Sequence, residues 1–310
     1  MSSKTWLGLQ PGDIVDVVAP AGKPKPHTIS GIESFLRAWG LKARVPQGIL
    51  QKDLLCANSK KNRWKFLKQA LMAKDSKMIW CVRGGYGSLH LLEDLKKIKA
   101  QKPKIFLGYS DITSLHTFLN QNWGWATLHG PNIDRFALRT GTRSEAERIR
   151  KVVFGKTDQV QFRLKALNKA AQKNHRLRSS VTGGNLITLQ SSFGTPFSVK
   201  TKNKILFLED IGERAYRIDR VLEQMRQLGL FKDLKALVLG QFTDGLEPNG
   251  KNILPTYFKQ FAAEQSFPVL SGVPSGHGKN QHPLPLNTKS ELVLGKKATL
   301  TIGSGVQSLV

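Results

Sequence analysis

Acidic residues are scarce in this chain. It carries 22 Asp and Glu against 48 Lys and Arg, a formal net charge of +26. A balance of this sign favours anionic partners in general. Yet the basic residues are spread along the chain. The short clusters Lys60-Lys61, Lys96-Lys97 and Lys165 to Arg178 are not interleaved with aromatics that would stack on bases. The expectation is a solvated basic surface and no nucleic-acid partner. Cysteine is nearly absent: Cys56 and Cys81 are the only two, and Cys81 lies in the apolar run Met78 to Val82, where a buried free thiol is expected. No Cys-x-x-Cys or His-x-x-x-His spacing suggests a metal site. Long apolar runs are lacking too. Nowhere do about 18 apolar residues follow one another, so no membrane span is expected, and Met1 to Leu7 has no apolar stretch of signal-peptide length. These absences together point to a reducing, cytoplasmic setting.

What is present is a repeated alternation. Apolar runs at Ile14–Ala19, Leu41–Val45, Met78–Val82 and Ile105–Leu107, and the short stretch Ala126–Pro131, read as strands. Between them lie segments with helical spacing, such as Ile29, Ile32, Phe35, Leu36 and Trp39, closed by Gly40. Strands alternating with helices imply βαβ units and a parallel sheet, here an α/β domain of the Rossmann or flavodoxin-like kind. Ligands in such sheets gather at the carboxyl ends of the strands, which here carry Arg83–Ser88, Ser110 and His129–Pro131. From 156 to 180 the pattern weakens, with one possible strand at Val160 to Leu164, and the stretch reads as a linker. Order then resumes. Strands are expected at Lys204–Leu208, Ala236–Phe242 and Val269–Val273, a helix through Tyr216 to Met225, and a closing hairpin over Glu291–Ile302 turning at Gly295 to Lys297.

Gly108-Tyr-Ser-Asp-Ile-Thr113 is the most informative stretch. A serine where a strand breaks into a helix has its hydroxyl pushed out of the sheet, and the N–H of Asp111 is left free near a helix N-terminus. That is the geometry of a nucleophile elbow, although Ile112 stands where a second glycine is usual. A helix cap is the simpler alternative for Ser110. Acyl transfer by serine also needs a base, a carboxylate to orient it, and donors for an oxyanion. Of seven histidines, His277 is the most base-like, lying between glycines in a loop after a strand, with His129 next. Glu209 ends the apolar strand Ile205–Leu208 and would meet the crevice, unless it serves only as an ion-pair partner. The turn Arg83-Gly-Gly-Tyr-Gly87 lets backbone approach a ligand, and it lacks the Gly-Lys-Ser/Thr ending of a phosphate loop.

Taken together, Arg83-Gly-Gly-Tyr-Gly87, Gly108-Tyr-Ser-Asp-Ile-Thr113, His129-Gly-Pro131 and Gly183-Gly-Asn-Leu186 form an ordered set. It continues with Leu206-Phe-Leu-Glu-Asp-Ile211, Tyr216-Arg-Ile-Asp-Arg220, Gly276-His277 and Leu284-Pro-Leu286. In this order and spacing the chain resembles the LD-carboxypeptidase family, serine peptidases that include the microcin-immunity hydrolases. The resemblance implies Ser110 as nucleophile, His277 as base and Glu209 as the carboxylate orienting it. It implies an oxyanion hole from the backbone N–H of Asp111 and of Gly85. It further implies an N-terminal α/β domain with Ser110 (1–155), the linker (156–180), and a C-terminal β-rich α/β domain with Glu209 and His277 (181–310). The implied substrate is the murein tetrapeptide, which loses its terminal D-Ala in cytoplasmic cell-wall recycling. The implied assembly is a homodimer, with neither cofactor nor metal. Arg83 and Tyr86 are substrate-binding candidates, Arg83 for the substrate's terminal carboxylate. Two alternatives stand beside this. A microcin-type peptidyl-nucleotide hydrolase would need a stacking aromatic, for which Trp123, Trp125 and Tyr216 are available. A basic nucleic-acid-binding protein without catalysis is the other.

Overall fold

Strands that are apolar on consecutive residues need cover on both faces. In the Ser76–Cys81 strand Met78, Ile79, Trp80 and Cys81 are all fully buried. Met78 and Trp80 pack with Ile32 and Leu36 of the Thr28–Ala38 helix, while Ile79 and Cys81 pack with Leu67, Leu71, Leu115 and Phe118 on the opposite face. The computed structural model describes residues 5–25, 27–51 and 53–307. Among the described residues there are two sheets of this double-covered kind, a third that is antiparallel, and a two-stranded parallel pair of Trp6–Leu7 with Val306–Gln307.

The first sheet has six strands. From one edge they run Lys42–Arg44, Ile14–Val18, Ser76–Cys81, Ile105–Gly108, Thr127–His129 and Leu284–Leu286. The first five are parallel, and their spatial order is that of a flavodoxin-like doubly wound sheet. The second sheet sets Val181–Asn185, Ile205–Ile211, Ala236–Thr243 and Val269–Ser271 in parallel, with Lys165–Ala166 antiparallel at its edge. The expected closing hairpin is present as Ser290–Val293 paired with Thr299–Gly303, within a four-stranded antiparallel sheet. The α/β class, with a parallel first sheet and a β-rich second half, is as expected. No helix among the described residues is long and apolar enough to cross a membrane.

Two features differ from expectation. Residues 156–180 do more than connect: Gln159–Arg163, Lys165–Ala166 and Arg176–Ser179 are strands of the second and third sheets. Their exposed Gln159, Gln161, Arg163, Arg176 and Arg178 break the apolar runs by which buried strands are recognised. The second feature is Leu284–Leu286. This short strand comes late in the chain yet pairs antiparallel with Thr127–His129 of the first sheet, Leu284 opposite His129. Pro285, which has no N–H to offer a ladder, is tolerated there at the sheet edge. The pairing sets the residues just before Leu284, including His277, above the carboxyl end of the first sheet.

Candidate active site

The loops after four of the five parallel strands of the first sheet border a cleft of about 350 Å³. Its lining includes Lys25, Arg83, Gly84, Gly85, Tyr109, Ser110, Asn132, Asp134, Arg135 and, from the second half of the chain, His277. Ser110 follows the Ile105–Gly108 strand directly and begins a single 3-10 turn, Ser110–Ile112, that leads into the helix Thr113–Phe118. Its φ is 64°, the left-handed region that a non-glycine residue occupies only when its surroundings impose it. Among the described residues no side chain caps this turn, so Ser110 is not acting as its helix cap.

Two turns are locked together around that serine. A Cβ on Gly84 would lie 2.8 Å from Ser110 Cβ and 3.1 Å from its Oγ, so only glycine lets the Arg83–Gly87 turn ride this close. Asp111 fastens the same turn: its carboxylate accepts the Ser88 N–H at 2.8 Å, and Ser88 Oγ donates back to the Asp111 carbonyl. Burial raises the Asp111 carboxyl above its usual range, and the bonds from Ser88 oppose that rise. The buried guanidinium of Arg63 donates to the carbonyls of Pro20 at 2.6 Å, Gly87 at 2.7 Å and Asn58 at 3.0 Å. The Arg83–Gly87 turn is thereby fastened at Gly87 by Arg63 and, through Ser88, to Asp111.

His277 arrives from above. Its Nδ1 is 2.7 Å from Oε2 of Glu209, which fixes the ring and leaves Nε2 as the nitrogen available to the cleft. Its ring also lies against Tyr109, with centroids 4.8 Å apart. Glu209 is fully buried, at a point where the ladder slips by one residue between Leu208 opposite Leu239 and Asp210 opposite Phe242. Such a slip re-aims side chains. A Cβ on Gly276 would meet Glu209 Oε2 at 2.8 Å, so the loop can close over the carboxylate only with glycine there. The neighbouring Asp210 turns elsewhere. It accepts from Asn185 Nδ2 and from the N–H groups of Ile187 and Ile211, and burial pushes its carboxyl up to about 6.

The His277 loop is also tied to the first half of the chain. Arg135 donates to the carbonyl of Lys279 at 3.0 Å and to Oε1 of Glu145 at 3.0 Å. Glu145, fully buried in the capping box of the Arg143–Val153 helix, accepts the Gln281 N–H at 2.8 Å. Neither residue was singled out in the sequence, because each acts on a loop well over a hundred positions away. Asn132 was also missed; its Oδ1 accepts the Tyr109 N–H at 3.3 Å. The one available signal was that Asn132 and Arg135 follow directly on the strand end at His129–Pro131.

The remaining candidates are distributed as follows. Arg83 lines the cleft and pairs with Asp134 at 3.3 Å, its side chain 44% exposed. Tyr86 is half-exposed and lies 3.2 Å from His90 Nε2 through its hydroxyl, outside the cleft lining. His129 is fully buried beneath the cleft. Trp123 and Trp125 are buried in the core, and Tyr216 is exposed away from the cleft between Arg214 and Arg220. Tyr109 is the aromatic residue that lines it.

Comparison with known proteins bears on the family and the fold. Residues 15–130 match the model for the LD-carboxypeptidase N-terminal domain, and residues 178–292 the model for the LD-carboxypeptidase C-terminal domain. The chain is 36% identical over 295 residues to a putative carboxypeptidase of Rickettsia conorii, covering 93% of this chain and 90% of that one. It is similar to the crystal structure of muramoyltetrapeptide carboxypeptidase from Oxalobacter formigenes, with a TM-score of 0.81, 26% identity, and 94% and 98% of the two chains covered. The microcin C7 self immunity protein shares the fold, with a TM-score of 0.82 at 19% identity over 96% of this chain and 98% of that one.

Proposed function

The chain belongs to the LD-carboxypeptidase family, and from that premise we propose that it is a serine carboxypeptidase removing the terminal D-Ala of the murein tetrapeptide. One observation carries the reading: Ser110 and His277 line one cleft, and His277 is oriented by a 2.7 Å bond to the buried Glu209. In this mechanism Ser110 Oγ attacks the carbonyl of the L-to-D peptide bond while His277 Nε2 takes its proton. The oxyanion is received by the backbone N–H groups of Asp111 and Gly85, on two turns that the Ser88–Asp111 and Arg63–Gly87 bonds fasten in place. His277 then protonates the departing D-amino acid, and water, deprotonated by the same imidazole, hydrolyses the acyl-enzyme. Glu209 orients the ring and stabilises the imidazolium.

Arg83 is the residue we assign to the substrate's terminal carboxylate, because it borders the cleft and half of its side chain is exposed. Tyr86, at the far end of the same turn, is assigned to the more distant part of the peptide. The reading extends to a cytoplasmic homodimer acting in cell-wall recycling, which light scattering and fractionation test directly.

The test is release of D-Ala from L-Ala-γ-D-Glu-meso-diaminopimelate-D-Ala by wild type and by Ser110→Ala. Release by wild type alone supports the activity and the nucleophile together. Equal release from both removes Ser110 from the mechanism. No release from either, combined with cleavage of a peptidyl nucleotide by wild type, transfers the same machinery to the other substrate class.

A further inference from the structure

Glu209 has two carboxylate oxygens, and His277 covers one. The other, Oε1, is fully buried and has no hydrogen-bond partner among the described residues. A buried carboxylate with a bare oxygen is costly to keep ionised. Nε2 of His129 lies 4.0 Å from Oε1. His129 is itself fully buried, and neither of its ring nitrogens has a hydrogen-bond partner among the described residues. Two unsatisfied polar groups thus face each other across the meeting of the two halves of the chain, His129 at the end of the first sheet and Glu209 in the second.

We propose that His129 is a positioning residue for Glu209: its neutral imidazole presents Nε2–H to Oε1, the carboxylate oxygen that His277 leaves uncovered. The inference rests on the serine-carboxypeptidase reading above. The gap is roughly 1 Å longer than an N–H···O bond, so a small side-chain shift closes it. Of the ring's two nitrogens, Nε2 has an anionic acceptor before it. The rest of the ring is surrounded by Phe207, Tyr109 and His116, at centroid distances of 5.4, 6.2 and 6.2 Å. The charged and titratable groups around the pair are therefore His277, His116, Tyr109 and, behind Glu209 on its strand, Asp210. Burial holds the His129 imidazole far below its ordinary pKa, so it stays a neutral donor and does not neutralise Glu209 by ion pairing. A carboxylate gripped at both oxygens keeps its charge and its direction when His277 becomes an imidazolium.

The experiment compares wild type, His129→Leu and His129→Gln for kcat, KM and the pH profile of kcat/KM on the tetrapeptide. Gln carries an amide N–H close to where Nε2 lies; Leu carries none. Expected for His129→Leu is a loss of about 10- to 100-fold in kcat with KM nearly unchanged. The acid limb of its profile should also move to higher pH, because an unsupported carboxylate makes the Glu209–His277 pair hold its proton more tightly. Expected for His129→Gln is recovery of most of the rate and of the limb. If both variants fold and keep the wild-type profile, or if both fall together without moving it, His129 does not position Glu209. Nitrogen-15 NMR of the wild-type histidines decides the matter should Leu fail to fold: a proton on Nδ1 of His129 would turn its lone pair toward the carboxylate and overturn the proposal. Wild-type-like activity in Ser110→Ala would defeat the serine-carboxypeptidase reading itself, whatever His129 does.

Discussion

Acidification should unfold this protein earlier than its carboxylates alone would dictate, and His116 supplies a measurable share. Its ring is fully buried under the Ser110 elbow, and Nε2 bonds to the Gly108 carbonyl at 2.8 Å, so the neutral Nε2–H tautomer is the one the fold accepts. Burial lowers its pKa from 6.5 to about 4. The depressed folded value means that the unfolded chain binds the proton first. The stabilisation is therefore complete above about pH 6.5 and is lost as pH falls toward the folded value. A shift of that size is worth about 3 kcal/mol by about pH 4, taking 1.36 kcal/mol for each pKa unit. The assay is urea unfolding followed by tryptophan fluorescence at several pH values, in wild type and in His116→Gln. Gln retains an N–H for the Gly108 carbonyl and does not titrate. The difference in stability between the two proteins should shift by about 3 kcal/mol in the variant's favour between about pH 7 and about pH 4. Parallel curves for the two proteins would refute the argument, because they would mean that His116 takes up its proton equally in both states.

Other outcomes follow from the site. Glu209→Gln should preserve the fold and lower kcat by roughly two to four orders of magnitude, measured as D-Ala release, through loss of the charge that stabilises His277. Gly84→Ala brings a methyl to 2.8 Å from Ser110 Cβ and 3.2 Å from the Tyr109 carbonyl; kcat should fall by more than about tenfold while circular dichroism stays native. Arg135→Ala leaves Glu145 buried without its cation and frees the 278–281 loop, so urea unfolding should register a loss of about 3 kcal/mol, with kcat reduced. Arg83→Ala should raise KM for the tetrapeptide several-fold with kcat less affected, provided that Arg83 holds the substrate carboxylate.

The parts of this molecule that were legible in the sequence are those whose cause is local. The runs Met78–Val82 and Ile105–Leu107 are apolar because both faces of their strands are covered, and Gly40 ends its helix with a φ of 75°. The elbow at Ser110 could be anticipated because a short buried strand breaks into a helix within three residues. Between 156 and 180 only the strand near Val160 to Leu164 was legible; Lys165–Ala166 and Arg176–Ser179 escaped notice because they are short and their exposed faces carry Lys and Arg. Leu284–Leu286 escaped because a three-residue segment centred on proline shows no periodicity, and its partner lies about 155 residues earlier in the chain. Arg135 and Glu145 act across a similar separation, and spacing in a sequence carries no trace of such contacts.

The return of Leu284–Leu286 to the first sheet also constrains how the protein can be taken apart. The path runs from the first half to the second and back, so a cut anywhere between 155 and 284 strips the Thr127–His129 strand of a hydrogen-bonded neighbour. An isolated N-terminal fragment would present that strand as an open sheet edge, a template for aggregation. The same stitch limits motion. The halves cannot swing apart on a simple hinge without breaking a β-ladder, which leaves the loops bordering the cleft as the parts free to change its width.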